Sequence, residues 1–107
     1  MEIQTQDGVS YMNKLETKED GLYIGDKKVI KGWESFSGWY WFATEKDGTQ
    51  DSLMADGTVA YEDIIWFGYV QGIHDEWGYF AESDFKSMPN KIWEIKEIDL
   101  PHAGRRD

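Results

Sequence analysis

No cysteine occurs in the chain. That removes disulfides, thiolate nucleophiles and cysteine-based zinc sites together, and it gives no sign of an oxidising compartment. Histidine is confined to His74 and His102, and proline to Pro89 and Pro101. Positive charge is scarce: 11 Lys and Arg stand against 21 Asp and Glu, for a formal charge of −10. Phosphate-backbone binding needs clustered cations, so direct nucleic-acid reading is disfavoured, as is an anionic membrane surface. No apolar run approaches the roughly 20 residues of a membrane-spanning helix. No basic stretch leading into an apolar one opens the chain, so a secretory leader is not expected and a cytoplasmic location is. Neither a P-loop nor a GxGxxG fingerprint occurs, and Gly32-Trp33-Glu34-Ser35-Phe36 lacks the second glycine of a nucleophile elbow.

What is present is aromatic and acidic. Six Trp, six Tyr and five Phe in 107 residues exclude disorder for most of the chain, because disordered segments are poor in rings. The length fits one domain. The charge is concentrated. Residues 34–86 hold eleven acids and only Lys46 and Lys86 as bases, a net −9, whereas the flanks are close to neutral. Acids on strand edges and loops keep an aromatic sheet soluble; the sharper reading is an acidic face aimed at a basic partner.

The elements read mostly as strands. A short helix from about Val9 to Thr17, or a frayed strand, precedes Gly21. Leu22-Tyr23-Ile24 and Lys27-Lys28-Val29-Ile30 flank Gly25-Asp26, the signature of a hairpin whose turn needs a positive φ. Gly32 to Gly38 reads as a loop. Trp39 to Ala43 is apolar on both faces and suits a central strand, with Trp39, Trp41 and Ala43 on one side and Tyr40 and Phe42 on the other. Lys46 to Gly57 reads as a long loop or an extended hairpin tip. Ile64 to Val70 is the strongest strand, Gln71 to Glu76 turns it, and Trp77 to Ala81 returns. Ser83 is placed to cap a short helix that Pro89 stops. Ile92 to Leu100 reads as a last strand ended by Pro101. The expected fold is α+β: a mostly antiparallel β-sheet of about five strands with one or two short helices, one domain over 1–101, and a flexible tail over 102–107. Trp41, Phe67 and Phe80 are the expected core.

Three runs, Trp41-Phe42-Ala43-Thr44-Glu45, Trp66-Phe67-Gly68-Tyr69-Val70-Gln71-Gly72 and Glu76-Trp77-Gly78-Tyr79-Phe80, together with Ile95-Lys96-Glu97-Ile98-Asp99-Leu100, stand in a distinctive order. In this the chain resembles the small bacterial and mobile-element proteins grouped as DUF2958, a family of unknown function, over roughly residues 31–101. The resemblance implies a compact α+β domain and a mobile-element origin, and no chemistry. The chain departs from the family pattern at Ile98, where an Arg sits between the acids of the last motif, and in a longer segment from Lys46 to Glu62.

Four constellations could carry function. His74-Asp75-Glu76 offers an imidazole beside carboxylates, the materials of a general base or a cation site. Adjacent residues point in different directions, however, and a solvated turn uses the same residue types. Glu45, Asp47, Asp51 and Asp56 could surround a hard cation, but they lack the alternation and closing Glu of a calcium loop. A pair of glycosidase carboxylates stays open on sequence grounds. The rings exceed what one sheet face hides, so some are either covered by helices or exposed to a partner. The expectation is a small acidic accessory protein, not an enzyme, acting by protein–protein binding. Its sharpest form is an inhibitor or nucleic-acid mimic of phage or plasmid origin. Its contacts to a basic partner would be Glu45, Asp47, Asp51, Asp56, Glu62 and Asp63. The alternatives are a small hydrolase or metal-dependent enzyme centred on His74, and a ligand-binding module of stacked rings. No cofactor and no metal are expected.

Overall fold

The computed structural model describes residues 13–106. The strands are β1 (Leu15–Lys18), β2 (Gly21–Ile24), β3 (Lys27–Lys28), β4 (Lys31–Ser35), β5 (Tyr40–Leu53), β6 (Val59–Gln71), β7 (Asp75–Ala81) and β8 (Ile92–Glu94). One short helix, α1 (Glu82–Lys86), follows β7, and a 3-10 turn covers Leu100–His102. Every recorded strand pair is antiparallel. The strands form a three-stranded sheet, β1-β2-β3, and a five-stranded sheet in the order β7-β6-β5-β4-β8. The α+β expectation holds, with a second small sheet beside the five-stranded one.

The alternation in Tyr40-Trp41-Phe42-Ala43 builds three layers around this central strand. Phe42 faces the small sheet, where it is fully buried with Leu15, Leu22, Ile24, Val29, Tyr69 and Ile95. Its neighbour Ala43 faces α1, in a second cluster with Trp33, Trp66, Phe80, Phe85 and Ile92. Neighbours on a strand point to opposite faces, so one apolar run supplies both cores. Within the second cluster Trp33 stacks on Phe85 at 4.8 Å and meets Phe80 edge-on at 5.9 Å, geometries that ring quadrupoles favour. Of the expected core, Phe80 is buried, while Trp41 and Phe67 are only half-buried. Phe42 and Trp33 take the central places instead.

Two glycines are dictated by geometry. Gly25 opens the two-residue turn between β2 and β3 with φ 63°, a conformation an L side chain resists. At Gly68 an added Cβ would lie 1.8 Å from the Phe42 carbonyl oxygen, so only a bare backbone fits against β5 there. Gly68 pairs with Gly78, and on either side Tyr69 meets Trp77 and Phe67 meets Tyr79 across the strands, with ring centroids 5.2 and 4.9 Å apart.

Several expectations are corrected. Residues 32–35 are not loop but β4, because Gly32 packs close under Leu100 and Ile95 while Trp33 fills the opposite core. Of the helix or frayed strand expected over 9–17, residues 9–12 lie outside the described residues, and from Leu15 the chain is strand β1. Ser83 does not cap α1 from outside; it sits inside the helix, and the cap residue is Ala81. The last strand stops at Glu94: Ile95 turns into the core and donates its N–H to Gly32 O at 2.8 Å, and Ile98 is exposed. The described part of the expected tail makes hydrogen bonds to the rest of the chain. Gln71, buried on β6, donates from Nε2 to Arg105 O at 2.9 Å and accepts the Arg105 N–H at 2.7 Å. The Arg106 guanidinium donates to Thr17, Pro101 and Ala103. These bonds fasten the chain end across both sheets.

Candidate functional site

The feature that dominates the molecular outline is the outer half of the β5–β6 hairpin. Fourteen residues in β5 at about 3.3 Å each span about 46 Å, close to the 49 Å long axis of the molecule. None of residues 44–62 is buried. Of the two readings of Lys46 to Gly57, loop or extended hairpin tip, the second is the one found, paired almost to its end through Ser52↔Ala60 and Leu53↔Val59. Its register shifts at Ala43/Glu45, Lys46/Gly48 and Gln50/Ser52. Such irregularities increase twist and spoil the ladder for a neighbouring strand.

The expected contact acids distribute unevenly over this arm. Glu45, Asp47 and Asp51 lie on β5, Glu62 on β6, and Asp56 in the tip turn; all five are exposed. Two of them shape the arm as well. Asp56 accepts the Thr58 N–H at 3.0 Å and the Thr58 hydroxyl, which hold its carboxyl below the usual value. Asp51 accepts the Glu62 N–H at 3.0 Å, where Glu62 adopts φ 52°. A non-glycine residue in this region is uncommon, and here the Asp51 carboxylate satisfies the displaced amide. Among the acids stand Leu53, Val59 and Tyr61, with Leu53 78% and Tyr61 75% exposed. Leu53 and Val59 are directly paired, so their side chains share a face, and Tyr61 follows two residues on, beside the register shift.

Asp63 does not belong with the contact acids. It is 6% exposed. One oxygen accepts the Ser83 N–H at 2.9 Å and the other accepts hydroxyl bonds from Ser52 and Ser83. A strand carboxylate thus does the capping work that sequence assigned to a local serine, and it ties the root of the arm to α1. Burial pushes the Asp63 carboxyl up, but the hydrogen bonds from Ser83 and Ser52 outweigh it and hold the group below its usual value. Asp84 responds oppositely: burial, then the Asp63 charge, raises it.

The His74 constellation does not assemble. His74 is exposed in the turn from Gly72, while Asp75 and Glu76 already belong to β7. Asp75 pairs with Arg105 at 2.9 Å. Among the described residues no group of three or more His, Asp or Glu side chains converges on a metal position. Many of the rings pack on one another inside the two cores, and Trp33, Phe85 and Trp93 also line a groove between α1 and β8.

Two grooves remain. The larger, about 900 Å³, runs between the small sheet and the segment after β8, with Lys18, Lys28, Lys31 and His102 set against Glu19, Asp20, Glu94 and Glu97. Its charges nearly balance, and Lys28 already pairs with Asp20 at 3.5 Å. The smaller, about 430 Å³, lies between α1 and β8. Lys31 closes it: its Nζ is 2.9 Å from buried Glu82, 3.7 Å from Glu94 and within 6 Å of the Trp33 and Trp66 ring centres. Burial lowers the Lys31 ammonium, but Glu82 and Glu94 outweigh it and hold the group above its usual value. Buried Glu82 is thus paired with half-buried Lys31, which fits a structural role. Sequence reasoning missed Lys31; its one signal is its place as the last base before the net-negative middle of the chain. Among the described residues no helix is long and apolar enough to cross a membrane. Set against known proteins, the chain matches no protein-family model, no curated protein and no solved structure.

Proposed function

We propose that this chain is a small accessory protein that binds a basic protein partner through its β5–β6 arm. The observation that carries the reading is the composition of the arm's surface: Glu45, Asp47, Asp51, Asp56 and Glu62 exposed around the exposed side chains of Leu53, Val59 and Tyr61. Apolar anchors inside a polar rim are the anatomy of a protein interface. Carboxylates around them steer a basic partner and oppose an acidic one. The sharpest form is an inhibitor: a narrow, negatively charged ribbon enters a groove built for nucleic acid and occupies it. The DUF2958-like order of motifs and a cytoplasmic, mobile-element setting belong to the same proposal. An enzymatic role at His74 has no comparable support, since its neighbours diverge and Asp75 is already paired.

The test is affinity capture from cell lysate at low and high salt, with wild type beside a variant in which Asp47, Asp51, Asp56 and Glu62 become Lys. Each swap changes the charge by two, so the net charge moves from −10 to −2. None of the four is buried, so the body of the fold and its circular dichroism spectrum should be retained, although Lys at 51 and 56 gives up the bonds to the Glu62 and Thr58 amides at the arm's bends. The expected outcome is a protein held by wild type at low salt, released at high salt and not held by the variant. Equal retention by both chains at both salts would make the acids a solubility device.

A further inference from the structure

Among the described residues the terminal strands are β1 and β3 in the small sheet and β7 and β8 in the large one; the arm, where β5 and β6 run past β4 and β7, has open sides too, but these are broken by register shifts and lined with acids. An open edge presents unpaired N–H and C=O groups, and proteins usually blunt it by shortness or charge. Three of the edges follow that rule. β1 has four residues including Glu16 and Lys18, β3 is Lys27–Lys28 alone, and β8 has three residues ending on Glu94. β7 does not. After Asp75 and Glu76 it runs Trp77-Gly78-Tyr79-Phe80-Ala81 without a charge or a proline. Nothing pairs with its outer side among the described residues, and Tyr79 is 66% exposed.

We propose that β7 pairs antiparallel with β7 of a second copy, about a two-fold axis through Gly78, so that two five-stranded sheets become one. The placement of charge selects this arrangement. Both acids lie at the start of the strand, and Asp75 is neutralised by Arg105. Antiparallel pairing centred on Gly78 sets Glu76 of one copy against Phe80 of the other, whereas parallel pairing would stack like carboxylates. On each side of the axis Trp77 of one copy opposes Tyr79 of the other, a cross-strand aromatic pair of the kind that stabilises sheets. At the axis itself Gly78 meets Gly78, and an added Cβ there would touch no atom within 4 Å. The same patch meets itself, as a two-fold interface requires. Each copy bears a charge of −10, so repulsion opposes the dimer and added salt strengthens it. Capture of a basic partner by the arm has the reverse salt dependence, which keeps the two proposals separable.

Sedimentation of the full chain at low and high salt, together with cysteine crosslinking, tests this. The chain has no cysteine, so Gly78→Cys introduces a single thiol on the axis. Directly opposed Cα atoms lie about 4.5–5.5 Å apart in an antiparallel pair, within the span of a disulfide. Oxidised Gly78→Cys should form a covalent dimer, while Ile98→Cys, more exposed than Gly78 but beyond the opposite edge of the sheet, should not. Tyr79→Lys should keep the circular dichroism spectrum and lose the dimer, because a lysine on the edge opposes pairing. A full chain that stays monomeric at both salts overturns the proposal. So does a dimer in which Gly78→Cys crosslinks no faster than Ile98→Cys. If Tyr79→Lys fails to fold, the cysteine pair decides alone.

Discussion

The inner and outer halves of the β5–β6 hairpin are one continuous ladder in two physical situations. In the inner half, Phe42 and Tyr69 lie under the small sheet and Ala43 and Trp66 lie under α1. In the outer half, residues 44–62, no side chain is buried on either face. The inner half is held by packing and could not change its side chains without opening a core. The outer half is held by backbone pairing, by three register shifts that set its twist, and by the Asp51 and Asp56 side chains that shape its bends. A two-stranded ribbon without a covered face is only marginally stable. The arm therefore adds little to folding, and its carboxylates and exposed apolar side chains are not fixed by packing. The boundary between the halves is Asp63, which bonds Ser52 on β5 and Ser83 on α1.

Truncation should break the comparison most sharply. Phe42, 0% exposed, is expected to lose about 3–5 kcal/mol on Phe42→Ala, through lost transfer energy and the cavity left between the sheets. Tyr61→Ala at the tip should stay within about 0.5 kcal/mol of wild type. Urea midpoints of the two variants measure the difference. Similar losses would mean that the arm is packed after all.

A smaller effect should appear at the boundary. The folded Asp63 carboxyl titrates below the unfolded one, near 3.8, because the ionised form is hydrogen-bonded only in the folded chain. Its contribution is therefore fully present above that unfolded value and is lost as pH falls through the lower folded value. Asp84, raised by burial and by Asp63, works with the opposite sign, so its ionisation opposes folding as pH rises. Asp63→Asn should cost about 2 kcal/mol at neutral pH through a weakened buried bond, and the gap to wild type should narrow towards about pH 3. Unfolding curves at the two pH values check this; a gap independent of pH would remove charge from the account of the junction.

The inner half was readable in the sequence and the outer half only partly. Trp39 to Ala43 and Ile64 to Val70 are dense in β-forming apolar residues, so strand and face could be assigned from alternation alone. Trp33 escaped because Gly32 and Ser35 mimic loop punctuation; the close approach of Leu100 to Gly32 is non-local and leaves no trace in the local pattern. The arm was read as loop or hairpin because Asp47-Gly48 and Asp56-Gly57 look alike. Only the second sits in the turn, while the first is absorbed into an irregular strand. Asp63 looked like one more surface acid, and its burial depends on serines 11 and 20 residues away. The docking of Arg105 on Gln71 was equally invisible, since a short polar end carries no periodicity.

The most direct test of the arm as binding element is amide hydrogen exchange along the chain, with and without the protein captured at low salt. Exchange reports which backbone segments become protected. The account predicts that protection rises across residues 44–62 on binding, while the turn at His74 and the groove beside Lys18 and His102 exchange as before. Protection that gathers at either of those places, with 44–62 unchanged, would contradict it.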